Sequence, residues 1–213
     1  MKIKKLGHCC LVIEVKGLRI MTDPGSYSTL QSEEKNIDVI LFTHEHQDHF
    51  HLESLRAVLA NNPNAKIVTN VSVGKLLDAE NISYSVVGDG QSTEINGVLI
   101  EGFGKDYEEI YELFGLVENT GYFVDNTLFY PGDAFYNPQK KVDILAVPIA
   151  GPWMRFKKAM EYVKEINPRV CFPVHDGMIE KSKPGPLYVV PPKILEPLGI
   201  TFTVLEEGKE QEL

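Results

Sequence analysis

The chain has 213 residues, 43% hydrophobic and 24% charged. That is the make-up of a folded domain with a core of its own, which excludes disordered and fibrous classes. Its 21 Lys and Arg against 30 Asp and Glu give a formal charge of −9, a balance that repels phosphate backbones and anionic lipid and counts against nucleic acid and membrane partners. Three cysteines, two of them adjacent at Cys9 and Cys10, form no paired framework, and the N-terminal apolar run stops at Glu14. With no stretch near the ~18–20 apolar residues of a membrane span, these features predict a cytoplasmic protein in a reducing compartment.

Strand-like runs come first: Lys2 to Leu6, Cys9 to Val15 and Leu18 to Met21, with Lys16-Gly17 as a tight turn. The continuous apolar stretch from Asp38 to Thr43 then predicts a buried strand, and Leu52, Leu55, Val58 and Leu59 at helical spacing predict a helix that Asn61-Asn62-Pro63 stops. Strand and helix alternate again at Lys66 to Asn70, Val71 to Ala79 and Ser83 to Val87. Hairpin signals at Glu94-Ile-Asn-Gly97 and Asp125-Asn126 predict a second meander over Gln91 to Phe103 and Gly121 to Tyr130. A strand from Val142 to Val147 follows. Pro152 then opens a helix striped by Trp153, Phe156, Met160, Val163 and Ile166, and a last strand, Val170 to Val174, leads into His175. Lys181 to Pro197, rich in proline, reads as a stiff surface excursion with one short helix. The repeated order of meander and alternating β and α predicts one domain, 1–213, of two similar halves, each a sheet covered by helices and packed sheet to sheet.

Four of the six histidines fall within His44-Glu45-His46-Gln47-Asp48-His49-Phe50-His51. In an extended loop His44 and His46 point the same way, and Asp48 with His49 closes over a neighbouring point as a helix begins. The loop stands at the carboxyl end of a buried strand, where open α/β sheets place ligands. A histidine-rich solvated turn is the competing reading; His-x-His-x-Asp-His between strand and helix favours metal.

His44-x-His46-x-Asp48-His49 resembles the signature of the metallo-β-lactamase-fold hydrolases. Leu6-Gly7-His8, Thr22-Asp23-Pro24, Tyr130-Pro131-Gly132-Asp133 and Pro173-Val174-His175 follow in the order that family shows. The opening motifs resemble the branch related to ascorbate-6-phosphate lactonase. The resemblance implies a four-layer αββα sandwich of two mixed sheets flanked by helices. It also implies one metal on His44 and His46, a second on Asp48, His49 and His175, and Asp133 bridging both. Such donors suit one or two divalent ions, zinc first, with manganese or iron as alternatives. Asp23 is expected either as a plain turn carboxylate or as an acceptor that orients a ligand histidine, and His8 either as a packed side chain or as a residue beside the ligands. His51 has no matching role. Cys9 and Cys10 read as core residues, with Cys10 or Cys171 the candidates for a place near the metals.

One feature of the family is missing: a further histidine between the first motif and the bridging aspartate. Asp106, Glu108, Glu109 and Glu101 are the candidates to replace it, against a reading of that stretch as a solvated helix or lid. The resemblance implies a hydrolase in which metal-activated hydroxide attacks an ester, lactone or phosphodiester-type small substrate, with Asp48 as ligand and proton handler. Lys105 and the Trp153 region are positional candidates for substrate contact. The alternatives are a redox di-iron relative, in whose branch glutamate replaces the histidine found here at His46, and a non-catalytic metal- or ligand-binding module with a degenerate first metal site.

Overall fold

A computed structural model describes residues 1–180, 182, 183 and 185–213. Strands β1 (Lys2–Gly7), β2 (Cys10–Val15) and β3 (Leu18–Thr22) form the expected antiparallel meander. From β3 the sheet continues in parallel through β4 (Val39–Leu41), β5 (Lys66–Thr69) and β6 (Ser85–Val86). Parallel neighbours need a crossover, supplied between β4 and β5 by helix α1 (Leu52–Asn61) and between β5 and β6 by α2 (Val71–Ala79). The Asn70 side chain accepts from the Val73 N–H to cap α2.

The chain then repeats the plan. Strands β7 (Ser92–Ile95), β8 (Val98–Phe103), β9 (Gly121–Val124) and β10 (Leu128–Tyr130) are linked antiparallel; β11 (Ile144–Pro148), β12 (Val170–Val174) and β13 (Thr201–Phe202) extend the sheet in parallel. Helix α3 (Phe156–Ile166) crosses from β11 to β12 and α4 (Gly185–Leu195) from β12 to β13, while β14 (Glu210–Glu212) returns to pair with β1. Each sheet therefore has seven strands, ordered β14-β1-β2-β3-β4-β5-β6 and β13-β12-β11-β10-β9-β8-β7.

The two-residue period of the strands sorts the core into layers. On β2, Leu11 and Ile13 face the second sheet and pack with Val124, Tyr130, Ala146 and Phe172. Cys10 and Val12 face the other way, toward Leu55 and Val58 of α1 and Leu77 of α2. On the far side, Phe129, Leu145 and Cys171 pack under Met160 and Val163 of α3 and Leu195 of α4. The result is an αββα sandwich. No helix among the described residues is long and apolar enough to cross a membrane.

Three local expectations change. Helix α3 starts at Phe156 rather than Pro152: Arg155 is its N-cap in extended backbone, and Trp153 lies in a turn before it. Although Pro191 and Pro192 lie in its interior, α4 runs 11 residues and buries Pro191 and Leu195. Tertiary packing there overrides proline's missing N–H, so more of this stretch is helical than its composition suggests. Lys181 and Pro184, within the same stretch, lie outside the described residues. Finally β13 and β14, too short and polar to carry a period, extend the two sheets.

Candidate metal centre

Loops at the ends of β1, β3, β4, β10 and β12 converge on one point between the sheets. His8 follows β1, Asp23 follows β3, His44 to His49 follow β4, Asp133 follows β10 and His175 follows β12. His8 (φ 47°), Asp23 (φ 36°) and His175 (φ 58°) are all left-handed; His and Asp enter that region more readily than most side chains, and strain of this kind concentrates at functional sites.

His44, His46 and Asp133 form one group of potential ligand atoms, and His8, Asp48, His49 and His175 another, with all atoms of a group within 4.8 Å of one another. Asp133 links the two groups: its Oδ1 is 3.2 Å from His49 Nε2, and its Oδ2 is 3.0 Å from His175 Nε2 and 3.7 Å from His44 Nε2. Asp48 Oδ2 lies 3.3 Å from His175 Nε2 and 3.8 Å from His49 Nε2. These contacts are close but poorly aligned for hydrogen bonding. His44 Nε2, His49 Nε2 and both Asp133 oxygens are buried without a hydrogen-bond partner among the described residues. Unmade polar bonds of this kind cost about 1–3 kcal/mol each, so donor atoms aimed at a shared point rather than at one another fit a cation.

Charge gives the same reading. Burial would raise both carboxyls, yet His49 and His175 hold Asp133 well below the usual range, and the neighbouring His175 and His8 do the same for Asp48. Burial would lower His49 and His175, but Asp133 outweighs it, raising His49 well above its ordinary value and His175 to about 11. Without an ion, protons on His49 and His175 would have to balance the buried Asp133 and half-buried Asp48 carboxylates; a divalent cation supplies the same charge and frees both Nε2 lone pairs. Burial first, and the neighbouring His49 after it, draws His44 well down and lowers His46, as suits neutral imidazole ligands.

Asp23 is buried beside His49, 2.8 Å from its Nδ1, and accepts from the Thr43 N–H (2.8 Å), the Thr43 hydroxyl (2.7 Å) and the Tyr130 hydroxyl (2.5 Å). With His49 Nδ1–H held by the carboxylate, Nε2 faces the centre. His8 falls within the second group, yet its Nδ1 accepts from the Gly177 N–H (3.0 Å), which leaves Nε2 as the donor to Asp48 Oδ2 at 3.1 Å. In that tautomer His8 aligns Asp48.

Of the cysteines, Cys9 rather than Cys10 or Cys171 lies near the centre, grouped with His49 and Asp133, because it occupies the turn between β1 and β2. His51 is half-buried and engages Ser54 and Glu53 at 2.9 Å, away from the group. Lys105, Asp106 and Glu109 are exposed. Glu101 is paired with Lys140 at 2.7 Å and Glu108 with Lys158 at 2.5 Å. The residue of this stretch that enters the site is Tyr107, whose ring centroid is 5.1 Å from that of His44 and 4.7 Å from that of His46. Trp153 closes the wall, 6.0 Å from Tyr107 and 5.5 Å from His175. Nothing in the sequence separates Tyr107 from Tyr111 and Phe114 of the same acidic stretch.

Residues 2–175 match the model of a family described as a beta-lactamase superfamily domain. The UPF0173 metal-dependent hydrolase TV0864 of Thermoplasma volcanium is 25% identical over 220 residues, covering 91% of this chain and 96% of its own. Among solved structures, Igni18, a metallo hydrolase from Ignicoccus hospitalis, superposes with a TM-score of 0.77 at 21% identity, covering 100% of this chain and 98% of its own. CmlA, a diiron β-hydroxylase from Streptomyces venezuelae, gives 0.79 at 16% identity over 100% of this chain and 54% of its own. These two structures share the fold, which by itself does not select a chemistry.

Proposed function

The chain belongs to the beta-lactamase superfamily, whose model spans residues 2–175, and from that premise we propose a metal-dependent hydrolase acting on a small ester, lactone or phosphodiester-type substrate. The observation that carries the reading is the buried convergence of His44, His49 and Asp133 donor atoms with no partner among the described residues. His44, His46 and Asp133 would hold one ion, and Asp48, His49, His175 and Asp133 the other; zinc, manganese and iron all suit such donors.

When bound, divalent ions polarise the substrate oxygen and bring the pKa of water from about 15.7 toward about 7. The chain's own residues do the rest. Asp48 presents Oδ2 to the site with His8 Nε2–H fixing its orientation, so it can accept a proton from the attacking water and return it to the leaving group. Asp23 keeps His49 from rotating out of place. Tyr107 and Trp153, 6% and 7% exposed, keep bulk water from the inner wall, which strengthens every charge interaction inside. All three cysteines are free and buried, in keeping with a place in a reducing cytoplasm. His46 stands in the motif where the redox di-iron branch carries glutamate, which favours hydrolysis over oxygen chemistry.

Metal analysis combined with a panel of lactone and phosphodiester substrates tests the reading. Wild type is expected to bind metal and to turn over at least one substrate, and Asp48→Asn to lose at least about 100-fold in turnover while its melting transition persists. Metal uptake without hydrolysis of any of the panel would favour the non-catalytic module. Full activity in folded Asp48→Asn would contradict the mechanism.

A further inference from the structure

Lys5, in β1 of the first sheet, is buried with 2% of its surface exposed. Lysine is almost never that deep without a partner, and this ammonium turns to the second sheet for its bonds. Nζ donates to Pro173 O at 2.9 Å and to Asp176 Oδ1 and Oδ2 at 2.5 and 2.6 Å. The Tyr188 hydroxyl of α4 adds a bond to Asp176 Oδ2 at 2.9 Å. One ammonium thus grips the chain both before and after His175.

What it grips is a turn with two duties. His175 is left-handed there (φ 58°), and its N–H donates to His8 O at 3.3 Å. The Gly177 N–H donates to His8 Nδ1 at 3.0 Å, the bond that leaves His8 Nε2–H for Asp48. The approach is so close that a Cβ on Gly177 would lie 2.9 Å from both His8 Cβ and His8 Nδ1. The turn therefore sets the aim of His175 and the tautomer of His8. A buried ion pair adds little stability over well-packed apolar side chains of similar volume, so what Lys5 and Asp176 contribute here is direction.

We propose that Lys5 and Asp176 are positioning residues of the metal centre: their ion pair, spanning the two sheets, fixes the turn from Pro173 to Gly177 so that His175 keeps its aim and His8 presents Nε2–H to Asp48. The consequence for metal rests on the dinuclear reading given above, whereas the consequence for His8 does not. The ion affected is the one held by Asp48, His49, His175 and Asp133, since the turn reaches His175 directly and Asp48 through His8.

Three variants of the full chain test this: Lys5→Met, the double variant Lys5→Met/Asp176→Leu, and Gly177→Ala. If Lys5→Met leaves the unpaired Asp176 too costly for the chain to fold, the double variant, with apolar side chains in place of the pair, carries the test; melting curves show which variants fold. Ring-nitrogen NMR of metal-free protein reports the His8 tautomer. Wild type should show His8 with a bare Nδ1 and a protonated Nε2. The folded double variant should show mixed tautomers, as should Gly177→Ala, in which the added Cβ breaks the bond itself. Manganese titration of the double variant should show one event weakened by at least about tenfold, the size expected when a ligand loses its outer partner, and it should be the event that His175→Ala removes. A pair that serves folding alone would leave the His8 signal and both events of the folded double variant as in wild type; that result would overturn the proposal and leave the hydrolase reading standing. A wild type that takes up no metal would overturn the hydrolase reading; there, loss of the His8 signal in the double variant supports the role of the pair, and its survival overturns it.

Discussion

At the scale of single residues, Asp23 shows how a side chain that touches no ion can decide whether one binds. Its carboxylate sits 2.8 Å from His49 Nδ1 and is fixed by Thr43 and Tyr130, so the imidazole has one tautomer and one direction. Asp23→Asn keeps the shape but offers His49 a weaker acceptor or a misplaced donor. The expected outcome is a 10–100-fold loss of metal affinity in a competition titration; unchanged affinity in a folded variant would remove the orienting role. The histidine motif was legible because its four side chains are adjacent in the chain and need no knowledge of the fold. Asp133 and His175 were picked out by their place after strands and by the order of the motifs in the resembling family. Tyr107 and Cys9 were not, since what makes them neighbours of the centre is loop packing across space. His8 illustrates the limit from the other side: proximity was readable, whereas its tautomer is set by Gly177, 169 residues away.

At the scale of elements, the approach of the loop after β3 to the His44–His49 loop depends on Gly25. A Cβ built there would lie 1.9 Å from the Asp48 carbonyl oxygen and 2.5 Å from the His49 N–H nitrogen. Gly25→Ala therefore has to push the segment carrying Asp48 and His49 away from Asp23. We expect a loss of about 1–3 kcal/mol in stability, as for other overpacked sites, together with weaker metal binding; calorimetry and metal titration on the same variant measure both. Full metal affinity would show that the loops move independently. Strands with a two-residue period and helices with an apolar stripe were legible to within a few residues. The start of α3 was not, because Trp153 continues the helical stripe in sequence yet is drawn to the wall of the site. Nor was the extent of α4, where packing against the second sheet outweighs two interior prolines.

At the scale of the whole molecule, the centre joins the two sheets. The motif histidines, His8 and Asp23 come from loops of the first, and Asp133 and His175 from loops of the second. Ions held by both would stabilise the folded state: at a free concentration about 100 times the dissociation constant, one site would add about 2.7 kcal/mol, or roughly 5–10 °C in the melting temperature of a chain this size. Chelation should lower the midpoint by that much and re-addition should restore it; identical curves would contradict a centre that spans the sheets. The αββα plan was legible from the repeat of meander and alternating β and α, whereas the return of β14 to β1 was not, because three polar residues carry no pattern. The most direct test of the account is anomalous diffraction from metal-loaded crystals, recorded at the absorption edge of the ion supplied. The account predicts two peaks flanking Asp133, one beside His44 and His46 and the other beside Asp48, His49 and His175. Peaks confined to surface carboxylates, or none at Asp133, would contradict it.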